Sequence, residues 1–139
     1  MRNPNLYVID SSVWIEVLRA RSDRTPLQER VSELLSTALV ATVGLVRLEV
    51  LNTISDENEY RRRAAIFEPL PALPTTEERW NEAAQLGSAL RRRGFTVPST
   101  DLLIAAVAMA TGATVLHRDR HFDLIAQHAP LAVESHVEA

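Results

Sequence analysis

The 139-residue sequence predicts an α/β protein whose mainly parallel sheet is covered by helices on both faces. Three observations carry that expectation. Short runs suited to strands (Tyr7-Val8-Ile9, Leu39-Val40-Ala41-Thr42, Thr114-Val115-Leu116) alternate with longer stretches of helical apolar spacing. One of those stretches, Leu102-Leu103-Ile104-Ala105-Ala106, is apolar on nearly every side and must lie deep in the fold. The first strand also ends in an acid where a helix begins, which is where open α/β sheets bind ligands.

In order, Leu6 to Ile9 forms the first strand, and Ser11 or Ser12 caps the helix carrying Val13, Trp14, Val17 and Leu18. A polar connection from Arg19 to Pro26 ends in a proline suited to a helical first turn, and Leu27, Val31, Leu34 and Leu35 recur at helical spacing. Leu39 to Thr42 is the second strand, and Val43 to Ile54 reads as a largely buried helix. Glu57 to Phe67 is a charged amphipathic helix with Tyr60, Ala64 and Phe67 on one side. The prolines at 69, 71 and 74 exclude a central strand and leave room only for a short edge strand.

Thr75 followed by Glu78 has capping-box spacing, opening a helix that runs through Trp80, Ala83, Leu86 and Leu90 to a stop near Gly94. Ser99-Thr100 reads as a cap before the deep helix, which stops at Gly112. Thr114 to Leu116 is a strand, Asp119 to Gln127 a short helix, and Leu131 to Val133 a last edge strand. With no repeat or linker, residues 1–139 read as one domain.

Composition excludes several function classes. Without cysteine there is no disulfide, thiolate metal site or cysteine nucleophile. No apolar run is long enough for a membrane span, and the start does not resemble a signal peptide, so a cytoplasmic protein is expected. A net charge of -3 argues against coating nucleic acid by bulk electrostatics, so contacts would be local. All 15 basic residues are arginine, which removes the lysine that P-loops, receiver domains and many aspartyl-phosphate phosphatases use on phosphoryl oxygens.

Four acids interrupt or open segments that are otherwise apolar. Asp10 ends the first strand, Glu49 sits in Leu45-Val46-Arg47-Leu48-Glu49-Val50-Leu51, Asp101 opens the deep helix and Asp119 follows the Val115-Leu116 strand. Singly, each has an ordinary reading. Asp10 is a turn residue, Asp101 complements a helix dipole and Asp119 is an N-cap. Glu49 is harder to dismiss, because a buried glutamate needs a partner and Arg47 lies nearly opposite on the helix. All four can converge at the carboxyl end of the sheet.

Such convergence needs a cation or protons. Two like charges about 4 Å apart cost on the order of 4 kcal/mol at an effective dielectric of 20. Oxygen ligands without cysteine favour one or two Mg²⁺ or Mn²⁺ ions over zinc. Such ions polarise a phosphodiester and activate a water for in-line attack, so no side-chain nucleophile is required.

Ile9-Asp10-Ser11-Ser12-Val13-Trp14-Ile15, the Glu49 helix, Thr100 to Ala106 and Leu116-His117-Arg118-Asp119-Arg120-His121-Phe122-Asp123 together resemble the signature segments of PIN-domain ribonucleases. Nearly the whole chain is similar to the VapC-type toxins of toxin–antitoxin pairs. The resemblance implies a PIN-like three-layer α/β/α sandwich, a divalent metal and endonucleolytic cleavage of RNA. It also implies a cognate VapB-like antitoxin and a homodimer or a toxin–antitoxin hetero-oligomer. Asp10, Glu49, Asp101 and Asp119 take the four acidic places, as catalytic and metal-binding residues. Ser12 takes the small polar place that orients Asp10 or a metal-bound water. His117 stands where Ser or Thr is frequent and His121 where some relatives carry a further acid. For both, an outer-shell or surface role is expected rather than ligation.

For RNA, Arg118 and Arg120 adjoin the acidic residues; the Arg91-Arg92-Arg93 and Arg19/Arg21/Arg24 groups are further candidates, and Arg61-Arg62-Arg63 reads as a solvated face. Trp14, Val17 and Leu18, with the Leu27–Leu35 helix, offer a surface for an antitoxin segment or else belong to the core. Two rival readings remain: a catalytically inactive PIN-like module that binds RNA or a protein, and a phosphomonoesterase using the same metal site.

Overall fold

The computed structural model describes residues 2–19 and 24–138; the expected connection at residues 20–23, with Arg21, lies outside the described residues. The elements are β1 (Leu6–Ile9), α1 (Ser11–Arg19), α2 (Pro26–Thr37), β2 (Leu39–Val43), α3 (Gly44–Leu51) and α4 (Glu57–Phe67). Then come β3 (Ala72–Leu73), α5 (Glu77–Arg92), α6 (Ser99–Thr111), β4 (Thr114–His117), α7 (Arg120–His128) and β5 (Ala132–Ser135). The strands form one sheet in the order β3-β2-β1-β4-β5, and every pairing is parallel. The expected mainly parallel sheet is therefore wholly parallel among the described residues.

Parallel neighbours need crossover helices, and these flank the sheet in the expected α/β/α arrangement: α1 packs on α2 and α3, α3 on α4, while α5 lies along α6, which meets α7. Central strands β1 and β4 are almost wholly buried, and α6 is buried from Asp101 to Ala108. Trp14 is core, set edge-on to Phe67 with ring centroids 5.0 Å apart. Gly94 and Gly112 take φ of 92° and 75°, the left-handed conformation that ends α5 and α6 where the sequence places their stops.

The caps differ from expectation. Thr76, not Thr75, precedes α5, and no side-chain cap forms; its carbonyl accepts from Arg79 and Trp80 instead. Pro98 stands before α6, so Ser99 and Thr100 lie inside the helix. An unforeseen capping box joins Thr25 and Gln28 at α2. Helix α3 is shorter than expected, and only Val46 and Val50 are buried on it, because one side of this short helix faces solvent at Arg47 and Leu48.

The chain moves from β1 outward to β2 and β3, then returns to place β4 on the other side of β1. That reversal opens a crevice at the carboxyl ends of β1 and β4. Asp10 and Asp119 follow those ends.

Candidate active site

Asp10 continues the β1–β4 ladder by one bond, its N–H donating to the Leu116 carbonyl at 2.9 Å. It then caps α1 itself, correcting the expectation of Ser11 or Ser12: its carbonyl accepts from Val13 and Trp14, and its Oδ2 accepts the Ser12 N–H at 3.1 Å. Ser12 Oγ donates to the same Oδ2 at 2.6 Å and accepts the Arg118 N–H at 3.1 Å. One hydroxyl thus ties the loop after β4 to the acid after β1. Asp10 is only 2% exposed and its Oδ1 has no hydrogen-bond partner. Burial pushes its carboxyl up, against the Ser12 bonds that favour the charge and with Asp119 adding repulsion.

Glu49 is half-buried rather than enclosed, and its partner is Ser11, whose Oγ donates to Oε1 at 3.1 Å. Adjacent serines therefore hold two different acids. Burial raises the Glu49 carboxyl, opposed by the Ser11 bond and reinforced by Asp10 and Asp119.

Asp101, in the first turn of α6, is 7% exposed. Its carboxyl is pushed up to about 8 by burial first, then by a hydrogen bond shared with Asp119 and by the charges of Asp119, Asp10 and Glu49. Asp119 is the N-cap of α7, with Oδ1 accepting the His121 N–H at 2.9 Å. Three of the four acids thus stand at helix N-termini, whose dipoles offset part of the mutual repulsion.

His121, expected in an outer-shell or surface role, is partly exposed and stands directly against two of the acids. Its Nδ1 lies 2.8 Å from Asp119 Oδ1 and 3.3 Å from Asp101 Oδ2. Donor atoms of Asp101, Asp119 and His121 all fall within 4.8 Å of one another. Asp10 and Glu49 stand outside this closest group, yet near enough for their charges to act on Asp101. The donor set and the orphaned Asp10 Oδ1 fit a divalent cation held by carboxylates.

His117, unlike His121, is away from the surface. It is 0% exposed, lies against Phe122, and its Nδ1 accepts the Asp119 N–H at 3.1 Å. That leaves the ring proton on Nε2, 3.1 Å from Asp123 Oδ1, whose other oxygen accepts from Ser135. Burial lowers the imidazole pKa, so the ring is held neutral. Only its place directly after the apolar pair Val115-Leu116 hinted at this.

The family model described as PIN domain matches residues 7–127. The chain belongs to the PIN-domain family. It is 33% identical over 132 residues to VapC ribonuclease Mb1587 of Mycobacterium bovis, covering 94% of this chain and 98% of that protein. Ribonuclease VapC11 of Mycobacterium tuberculosis matches to the same extent. Among solved structures, VapBC2 from Rickettsia felis bound to a DNA fragment from their promoter superposes with a TM-score of 0.76 at 17% identity, over 94% of this chain and 98% of that one. The PIN domain here therefore has the VapC fold along nearly its whole length.

Around this PIN-domain site the arginines differ in setting. Arg118 faces Glu16 at 3.3 Å and Glu138 at 3.7 Å, while Arg120 is exposed. Arg91, Arg92 and Arg93 are exposed at the C-terminal end of α5, as a dipole-complementing end requires. Arg63 is not part of a solvated face, since it donates to the Leu18 carbonyl at 3.0 Å. The apolar hollow beside α1 is lined by Ile15, Leu18, Val50 and Ile54, between α1, α3 and α4, whereas Trp14, Val31 and Leu34 belong to the core. No helix among the described residues is long and apolar enough to cross a membrane.

Proposed function

We propose that this chain, as a single domain over residues 1–139, is the toxin of a toxin–antitoxin pair, an endoribonuclease acting in the cytoplasm. Asp10, Glu49, Asp101 and Asp119 would hold one or two Mg²⁺ or Mn²⁺ ions. The observation that carries the reading is the packing of Asp101 against Asp119, within reach of the charges of Asp10 and Glu49, with a buried Asp10 oxygen left without a partner. Carboxylates so arranged take up protons or a cation, and only the cation leaves them all charged near neutrality. A divalent ion held there would lower the pKa of water for attack on a phosphodiester and offset the negative charge that develops.

The chain's own groups prepare that chemistry. Ser12 holds one Asp10 oxygen and leaves the other buried without a partner, free for a cation. His117 and the α7 cap hold Asp119, and Ser11 holds Glu49. Arg120, exposed next to Asp119, suits a phosphate oxygen of the RNA, and Arg118 suits another once it leaves Glu138. The relatives' names, ribonuclease and VapBC, support RNA as substrate and a VapB-like antitoxin as partner. The hollow beside α1 suits an apolar antitoxin segment, within a homodimer or a hetero-oligomer with the antitoxin.

The test is to map RNA ends after cleavage by the purified protein with Mn²⁺ or Mg²⁺ and with excess EDTA. Metal-dependent cuts leaving 5′-phosphate and 3′-hydroxyl ends are expected, and Asp10→Asn abolishes them. A 2′,3′-cyclic phosphate, or full activity in EDTA, overturns the proposal.

A further inference from the structure

We infer that His121 is itself a metal ligand, and that its imidazole makes this site prefer Mn²⁺ to Mg²⁺. The inference rests on the acidic residues holding a metal, and it adds a nitrogen donor to a set otherwise made of oxygens. The ring is 41% exposed, yet its Nδ1 is buried and has no hydrogen-bond partner. That atom sits 2.8 Å from Asp119 Oδ1 and 3.3 Å from Asp101 Oδ2, and all three donors fall within the 4.8 Å spread of the group. Ligands about 2.0–2.2 Å from one small ion stand roughly 3 Å apart when adjacent and about 4.3 Å when opposed, so one ion can span them.

The backbone fixes this geometry. Asp119 Oδ1 accepts the His121 N–H, so the first turn of α7 holds the carboxylate and the imidazole on one side of the crevice. The remaining histidines are engaged elsewhere. His117 accepts the Asp119 N–H with Nδ1 while its Nε2, also without a hydrogen-bond partner, faces Asp123 and is not part of the group; His128 lies beside Arg93, and His136 pairs with Glu134. Mg²⁺ takes oxygen ligands almost exclusively, whereas first-row transition ions accept imidazole readily. A single nitrogen among carboxylates therefore moves preference toward Mn²⁺ without building a zinc site of thiolates or paired histidines.

The test is pulsed EPR of Mn²⁺ bound to the full-length protein carrying ¹⁵N-labelled histidine, beside calorimetric titrations with Mn²⁺ and Mg²⁺. We expect a ¹⁵N coupling in the wild type that disappears in His121→Ala and His121→Asp. Mn²⁺ affinity falls about tenfold or more in His121→Ala. Mg²⁺ affinity changes little there, and His121→Asp gains affinity for Mg²⁺ relative to Mn²⁺. Tight Mn²⁺ binding without nitrogen coupling, or coupling that survives His121→Ala, overturns the inference while the carboxylate site stands. No Mn²⁺ binding by the wild type overturns both.

Discussion

Replacing Asp101 by Asn should make the metal-free protein more stable as it destroys activity, and the gain should grow with pH. Asp101 goes from an ordinary carboxyl value of 3.8 to about 8 in the fold, chiefly through burial and then through Asp119. Because the folded value is the higher one, the native state holds more protons than the unfolded chain between those two values. Stability contributed by the protonated carboxyl is thus full below about pH 4 and is lost as pH rises to about 8. Each tenfold change in proton affinity is worth about 1.4 kcal/mol, so the loss has an upper limit of about 6 kcal/mol. The Asn amide is itself a buried polar group whose desolvation offsets part of the gain, so roughly half of that, about 3 kcal/mol, is the expected recovery. For a chain of this size that is a rise of roughly 10 °C in Tm.

The assay is thermal or urea unfolding in EDTA from about pH 4 to about pH 9, wild type beside Asp101→Asn. The two proteins should match near the acid end, where the wild type also carries a neutral side chain, and diverge steadily to about pH 8. Parallel profiles would show that Asp101 is not forced to hold a proton, and the electrostatic case for a cation would fail with it. Saturating Mn²⁺ should close the gap by stabilising the wild type far more than the variant.

Other positions give sharper local tests. Ser12→Ala removes the hydroxyl joining Asp10 to the Arg118 N–H, so Mn²⁺ affinity measured by calorimetry should fall about tenfold while the far-UV spectrum is kept. His117→Ala should cost about 2–4 kcal/mol in urea unfolding, from a buried cavity and an Asp119 N–H without its acceptor; His117→Asn, whose amide oxygen can stand near Nδ1, should retain more cleavage than Ala. Trp14→Ala should lose about 3–5 kcal/mol through its packing on Phe67, with any remaining folded protein still binding Mn²⁺.

Much of the fold was legible because its signals are local. β1 and α4 carry their own propensity and patterning, and α6 announces its burial by being apolar all round. The proline run from 69 to 74 limits β3 to two residues at the sheet edge, as a strand lacking N–H donors must be. The caps were less legible. Thr75 and Thr76 are adjacent and both precede the helix, and Thr76 is the N-cap, a choice that capping-box spacing alone did not make. Gly87 shows how closely α5 packs on α6, since a Cβ there would stand 2.7 Å from Leu102 Cδ1.

In the site, residue types and order were enough to name Asp10, Glu49, Asp101 and Asp119 as the candidates, because four acids each breaking an apolar segment, in the order of the PIN-domain signature segments, point to one site although three of them have an ordinary reading singly. Distances between them were not in the sequence. Glu49 comes near Asp10 through the pairing of β2 with β1, whereas Asp119 comes near it because β4 returns beside β1, and that return also brings in His121 and seals His117 behind them. Two histidines four residues apart look alike on paper. Hydrogen bonding and burial, which depend on neighbours distant in the chain, separate one that stands against the carboxylates from one that props up the loop beneath them.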